Sequence, residues 1–181
     1  MAQSEFLQTA IKAAQAAEVV IRKYYLSNIE IEIKEDRSPV TVADVETEKT
    51  IKDIILNAFP DHGFYGEETG KTNEDADYLW LIDPIDGTKS FVRQYPMFST
   101  QIALMYKGEL ILGVSNSPMF QEMAWAEKGQ GAFMNGKPIQ VSEIDALEDC
   151  ALSTGNIATL AATPSWNGLS ELIRSVSRIR G

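Results

Sequence analysis

The sequence predicts a layered α+β fold, on three observations. Two stripes of apolar residues at three- and four-residue steps occupy its first third. One short, wholly apolar run, Tyr78-Leu79-Trp80-Leu81-Ile82, stands in the middle with the character of a buried strand. Alternating segments joined by short polar turns then follow, as in hairpins. Helices first and hairpin-linked strands afterwards give separate helical and sheet layers, not a repeating βαβ order.

In chain order, Leu7, Ala10, Ile11, Ala14, Ala17, Ile21 and Tyr24 make one face of a helix over 3–25. Ile29 to Lys34 alternates strictly and reads as a half-buried strand, with a polar turn from Lys34 to Pro39. Thr41-Val42-Ala43-Asp44 forms a capping box, and Ile51, Ile54, Ile55 and Ala58 carry a second helix, about 42–58. Phe59 to Gly63 breaks it. Phe64-Tyr65 then leads a short strand into the carboxylate pair Glu67-Glu68, for which surface solvation is the default. The strand Tyr78–Ile82 stops at Asp83, because Pro84 lacks a backbone donor. Lys89 to Arg93 reads as a short helix. Strands follow at Phe98–Tyr106 and Glu109–Ser115 about a Lys107-Gly108 turn, and at Gln121–Glu127. Ala132 to Ile139 reads as a hairpin on Asn135-Gly136. Cys150–Ser153 is a further strand, and Ser165–Val176 a helix.

Composition narrows the function. At 181 residues and 44% hydrophobic, the chain buries a core and by length is one domain, 1–181. A net charge of −10 argues against nucleic acid or an anionic membrane surface as partner. No apolar run approaches the roughly 18 residues of a membrane span, and Met1 to Glu5 lacks the features of a secretory signal. A lone cysteine, Cys150, excludes an internal disulfide and fits a reducing cytoplasm as a buried or half-buried structural thiol. A single histidine, His62, excludes multi-histidine metal sites. Its place in the loop Pro60-Asp61-His62-Gly63 also argues against a Ser-His-Asp triad.

The chemistry is concentrated in Asp83-Pro84-Ile85-Asp86-Gly87-Thr88. Two carboxylates three residues apart on a rigid turn repel unless a proton or a cation lies between them. A hard divalent cation such as Mg²⁺ suits oxygen donors of this kind. Gly87 allows close backbone approach, and Thr88 offers a hydroxyl and an N–H where a helix begins. The plainer reading is a strand-to-helix turn with Thr88 as a cap, and Asp44 likewise serves as a helix cap. Gly66 to Thr72 falls short of a phosphate-binding P-loop, having three residues between its glycines where four are required. Gly129-Gln130-Gly131 lacks the third glycine of a dinucleotide fingerprint. Asp83 and Asp86 are one residue too far apart for the aspartyl-phosphate hydrolases.

Asp44, Gly66-Glu67-Glu68 and Trp80 through Thr88, with Lys34 through Asp44 ahead of them, together resemble the inositol monophosphatase-like family of Mg²⁺-dependent, lithium-sensitive phosphatases. The resemblance implies a layered α-β-α-β-α sugar-phosphatase-like sandwich. It implies two or three Mg²⁺ ions, with Mn²⁺ as a substitute, held by Glu67, Asp83, the carbonyl of Ile85, and Asp86. The N–H groups of Gly87 and Thr88 would receive the phosphate, with Asp86 beside it and Lys34 steering it. Asp44 and the Thr88 hydroxyl would orient and deprotonate the attacking water, with Glu67 in the catalytic set. The implied substrate is a small phosphate monoester, and the implied assembly a cytoplasmic homodimer. Lys89 to Arg93, Leu112-Gly113-Val114 and Trp125 to Phe133 are similar to the histidinol-phosphatase branch. Histidinol phosphate and inositol monophosphate therefore lead, ahead of a 3'(2'),5'-bisphosphate nucleotide and then fructose 1,6-bisphosphate. The family also supplies an aspartate from a Trp-Asp-x-x-Ala segment in a C-terminal half. Here the tryptophans precede Leu81, Ala126 and Asn167. The expectation is thus a domain truncated in its C-terminal half, with the second sheet incomplete. A catalytically incomplete, metal-binding fragment is the alternative.

Overall fold

A computed structural model describes residues 3–27, 31–33, 39–155 and 157–180. These fall into two compact units, Met1–Ile139 and Gln140–Gly181.

In the first unit, α1 (Glu5–Tyr25) starts on Ser4, whose hydroxyl accepts from the Leu7 N–H. Its buried face is Leu7, Ala10, Ala13, Ala14, Ala17, Ile21 and Tyr25, the predicted stripe except that Ala13 and Tyr25 are buried where Ile11 and Tyr24, both half-buried, were expected. Small alanines along it let α1 lie close to α2 (Val42–Ala58) and to the sheet. Ahead of α2, β1 (Ile31–Ile33) pairs antiparallel with β2 (Pro39–Thr41). The Lys34–Pro39 turn and the ends of the strand predicted over 29–34 lie largely outside the described residues, as does Lys34.

The main sheet has eight strands: β3 (Gly63–Gly66), β4 (Gly70–Thr72), β5 (Tyr78–Asp86), β6 (Ser99–Tyr106), β7 (Glu109–Ser117), β8 (Glu122–Glu127), β9 (Gly131–Met134) and β10 (Lys137–Ile139). Their order across the sheet is β10-β9-β8-β7-β6-β5-β3-β4. All neighbours are antiparallel except β3 and β5, which run parallel. Trp80, Ile82, Ile102, Leu104, Leu112 and Val114 turn one face of the sheet towards the buried faces of α1 and α2. Leu81, Ala103, Gly113 and Ala126 help line an open, mainly apolar depression of about 680 Å³ that reaches Glu67 and Asp83.

A second cluster, Ile21, Tyr25, Ala43, Ile85, Phe91 and Phe98, lies where β5 passes through Gly87 into α3 (Thr88–Phe91). His62 is built into an aromatic stack. Its ring lies 4.8 Å from Phe59 and 4.7 Å from Tyr78, nearly parallel to both, and its Nδ1 accepts from the Trp80 indole N–H at 3.1 Å. A packing partner, not a triad base, occupies that position.

The second unit holds a short 3₁₀ turn (Leu147–Asp149), β11 (Ala151–Ser153), α4 (Ile157–Ala161), α5 (Trp166–Ser175) and β12 (Arg178–Arg180). Strands β11 and β12 pair in parallel, so the residues before Gly181 form a strand the sequence did not announce. Cys150 is half-buried, as predicted. The predicted α+β class stands: a large sheet with helices on it, and two small two-stranded sheets among the described residues.

One expectation is corrected. Strand β5 does not stop at Asp83; it runs through Pro84 and Ile85 to Asp86. Asp83 is level with Gln101 and Asp86 with Ser99, so three steps on β5 oppose two on β6. Such an extra residue is a bulge, the place within a sheet where proline's missing donor is tolerated.

Candidate functional site

The bulge has a chemical consequence. In a regular strand, residues three apart point to opposite faces. Here the extra residue restores parity, because Asp83 and Asp86 are level with Gln101 and Ser99, two steps apart on β6. Thr100 on β6 donates its hydroxyl to the Pro84 carbonyl at 2.9 Å, fixing the irregular stretch.

Glu67 reaches the same place from β3. Gly66 is level with Ile82, and the Glu67 N–H donates to the Ile82 carbonyl at 3.2 Å. This sets Glu67 beside Asp83 across the parallel pair. Asp44 comes from the first turn of α2, where it performs its capping duty in full. Its Oδ2 accepts from the Thr41 N–H at 2.8 Å and the Thr41 hydroxyl at 2.6 Å. Its Oδ1 faces the Thr88 hydroxyl at 3.4 Å, while that hydroxyl also lies 3.1 Å from the Ile85 carbonyl. Capping and the Thr88 contact use different oxygens, so the two sequence readings of Asp44 do not compete.

The electrostatics tie these groups together. The Asp83 carboxyl is pushed up from the ordinary 3.8 to about 7. Burial strips water from it first; the charge of Glu67, a side-chain hydrogen bond with Glu67, and the charges of Asp86 and Asp44 all act in the same direction. Asp44 is raised by burial, against the hydrogen bonds from Thr41 and Thr88. Among the described residues, Asp83 Oδ1 is buried with no hydrogen-bond partner. Asp83 thus feels the charges of three other carboxylates, from α2, β5 and the end of β3, and one of its own oxygens is orphaned. Asp86 and Glu67 are exposed, Thr88 is half-buried and Ile85 buried.

Hard oxygen donors around an orphaned carboxylate oxygen fit a cation such as Mg²⁺ or Mn²⁺. Among the described residues no three Asp, Glu, His or Cys side chains already converge as a cage. The fit therefore lies in donor chemistry and charge, with Asp83 and Glu67 sharing a hydrogen bond where a cation would otherwise offset their repulsion.

The structure brings together Asp44, Glu67, Asp83, Asp86 and Thr88. Gly87 turns the chain from β5 into α3 with a left-handed φ of 99°, and Lys34 lies outside the described residues. Sequence reasoning missed Glu48. It is fully buried on α2, and its carboxylate accepts from the N–H groups of Glu68 and Thr69, both at 2.8 Å. A signal existed: Glu48 is one turn beyond Asp44 and in line with Ile51 and Ile55 on the core-facing stripe of α2.

Comparison with known proteins gives the family and the fold. A family model described as the inositol monophosphatase family matches residues 2–176. The bifunctional phosphatase IMPL2, chloroplastic, of Arabidopsis thaliana is 43% identical over 143 residues, covering 78% of this chain and 41% of that protein. A histidinol-phosphatase of Chlorobaculum parvum is 42% identical over 139 residues, covering 76% of this chain and 54% of that one. The chain thus spans about half the length of these relatives. Among solved structures, an IMPase of Thermotoga maritima superposes with a TM-score of 0.86 at 35% identity, covering 98% of this chain and 68% of that one.

Proposed function

The chain belongs to the inositol monophosphatase family, and on that premise we propose that this protein hydrolyses a small phosphate monoester in a Mg²⁺-dependent reaction. The observation that carries the reading is the buried, orphaned Oδ1 of Asp83, set among the charges of Glu67, Asp86 and Asp44. Glu67, Asp83, Asp86 and the Ile85 carbonyl would hold the cation. When bound, it supplies positive charge for the phosphoryl oxygens and makes water more acidic.

The chain's own groups do the rest. Asp44, held by Thr41 and raised by burial, is a better proton acceptor than an exposed aspartate. Thr88 stands between it and the substrate side. Its hydroxyl donates to Asp44 Oδ1 while its oxygen accepts from the attacking water, so the proton moves to Asp44 without a histidine. Gly87 and Thr88 offer N–H groups to the phosphate, and Asp86 is exposed at the point where the ester arrives. Lys34 is assigned a steering role on sequence grounds.

Histidinol phosphate leads as substrate, with inositol monophosphate beside it. The Chlorobaculum parvum relative's name and the Lys89–Arg93 and Trp125–Phe133 segments support the first. A bisphosphate nucleotide and fructose 1,6-bisphosphate rank below. The family match runs through both compact units, which supports reading 1–181 as part of one domain. The same reading takes the protein as a cytoplasmic homodimer; the lone cysteine supports the compartment. No helix among the described residues is long and apolar enough to cross a membrane.

Phosphate release from these four esters, with Mg²⁺, with EDTA and with Li⁺, tests the proposal. Mg²⁺-dependent, lithium-inhibited release with one favoured ester is expected. Cation binding without release from any of them would replace the reading with a metal-binding fragment.

A further inference from the structure

The Glu67-Glu68-Thr69 turn joins β3 to β4, and one of its residues is an assigned cation ligand. Its backbone is tied to two partners. On one side the Glu67 N–H donates to Ile82 on β5. On the other, the N–H groups of Glu68 and Thr69 donate to separate oxygens of Glu48, Oε2 and Oε1, both at 2.8 Å. Glu48 has no exposure, although an acidic side chain on a helix ordinarily faces water. Gly66 explains how it fits: a Cβ on Gly66 would fall within the Glu48 carboxylate. Gly66 does not stand among the residues with positive φ, so glycine is needed there for space, not for backbone shape.

We propose that Glu48 is a positioning residue that clamps the Glu67–Thr69 turn to α2, and so holds Glu67 where the cation binds. The proposal rests on the metal-dependent reading above. Helix α2 then mounts two functions one turn apart: Asp44 faces Thr88, and Glu48 holds the turn that carries Glu67. The clamp needs two acceptor oxygens, and a carboxamide offers one. Partners standing behind a metal ligand commonly change metal affinity by about 10- to 100-fold when replaced.

The test compares the 181-residue chain with Glu48→Gln and with Ile55→Val, which trims the buried core on the same helix away from the turn. Mn²⁺ affinity is read from the loss of the free-ion paramagnetic resonance signal, and amide hydrogen exchange is followed at Glu68 and Thr69. The expected result for Glu48→Gln is about 10- to 100-fold weaker Mn²⁺ binding with faster exchange at those two amides. Ile55→Val should leave both unchanged. Wild-type Mn²⁺ affinity in a folded Glu48→Gln chain would overturn the proposal. Failure of the wild-type chain to bind Mn²⁺ would instead overturn the metal-dependent reading beneath it. Should Glu48→Gln not fold, Glu48→Asp keeps the charge but withdraws both oxygens by one methylene, and the same criteria apply.

Discussion

Replacing Gly87 with alanine tests the turn that joins β5 to α3. Gly87 holds φ 99° and ψ 33°, a left-handed conformation that costs an L-residue about 1–2 kcal/mol. Space is also short. A Cβ there would lie 2.9 Å from the Met97 carbonyl oxygen and 3.2 and 3.3 Å from Cβ and Cα of Phe98. Phe98 is buried against Tyr25 and Phe91, so that backbone does not yield freely, and overpacking of this kind costs about 1–3 kcal/mol. The sum is about 3 kcal/mol, which at this chain length lowers Tm by about 10 °C. Urea titration measures it, with Gly108→Ala as the control. Gly108 has φ 84° but open space around it, so its alanine variant carries the conformational cost alone. Gly87→Ala should be the more destabilised of the two by the steric part. Equal losses would refute the packing argument, and a loss below about 0.5 kcal/mol, the usual range of a bland surface change, would refute both parts.

Three further outcomes are expected. Asp86→Asn should nearly abolish Mg²⁺-dependent phosphate release while moving stability by no more than about 0.5 kcal/mol, because Asp86 is exposed; retained turnover would remove it from the cation site. Thr88→Ala should lower kcat more than it raises KM, since its hydroxyl contacts Asp44; steady-state kinetics in which only KM moves would count against the relay. Burial holds the His62 imidazole below its ordinary 6.5, with Asp61 opposing weakly. The unfolded chain therefore takes up that proton first as pH falls through 6.5, so the contribution of His62 to stability is complete above 6.5 and declines below it. Against His62→Phe, the wild-type advantage should shrink between pH 7 and 5, and unfolding free energies that run parallel across that range would contradict this.

Much of the architecture was legible because it depends on local periodicity. The stripe on α1 and the apolar run of β5 each identify a buried surface from a dozen residues or fewer. The acidic members of the candidate site were named through their joint resemblance to a family. Three features were not. Pro84 normally ends a strand, and only the pairing of Asp83 with Gln101 and Asp86 with Ser99 reveals the bulge that accommodates it. Strands β2, β4 and β12 are three residues each, too short for alternation to register. The periodicity of α2 places Glu48 on the buried stripe with Ile51 and Ile55, but its donors, the Glu68 and Thr69 N–H groups, lie some twenty positions away. Local propensity carries no trace of a partner so distant in sequence.

The bulge at Pro84 and Ile85 separates scaffold from specificity. The shared direction of positions 83 and 86 is written in backbone register and in the Thr100 hydroxyl, not in the carboxylates themselves. Side-chain identity at those positions is therefore a free variable for redesign. Under the Mg²⁺-dependent reading proposed above, exchanging an oxygen donor for an imidazole at Asp86 would shift the donor set towards Zn²⁺ or Ni²⁺, with the strand geometry carried over. Under that reading, a change of donor at this one position leaves the frame as it is.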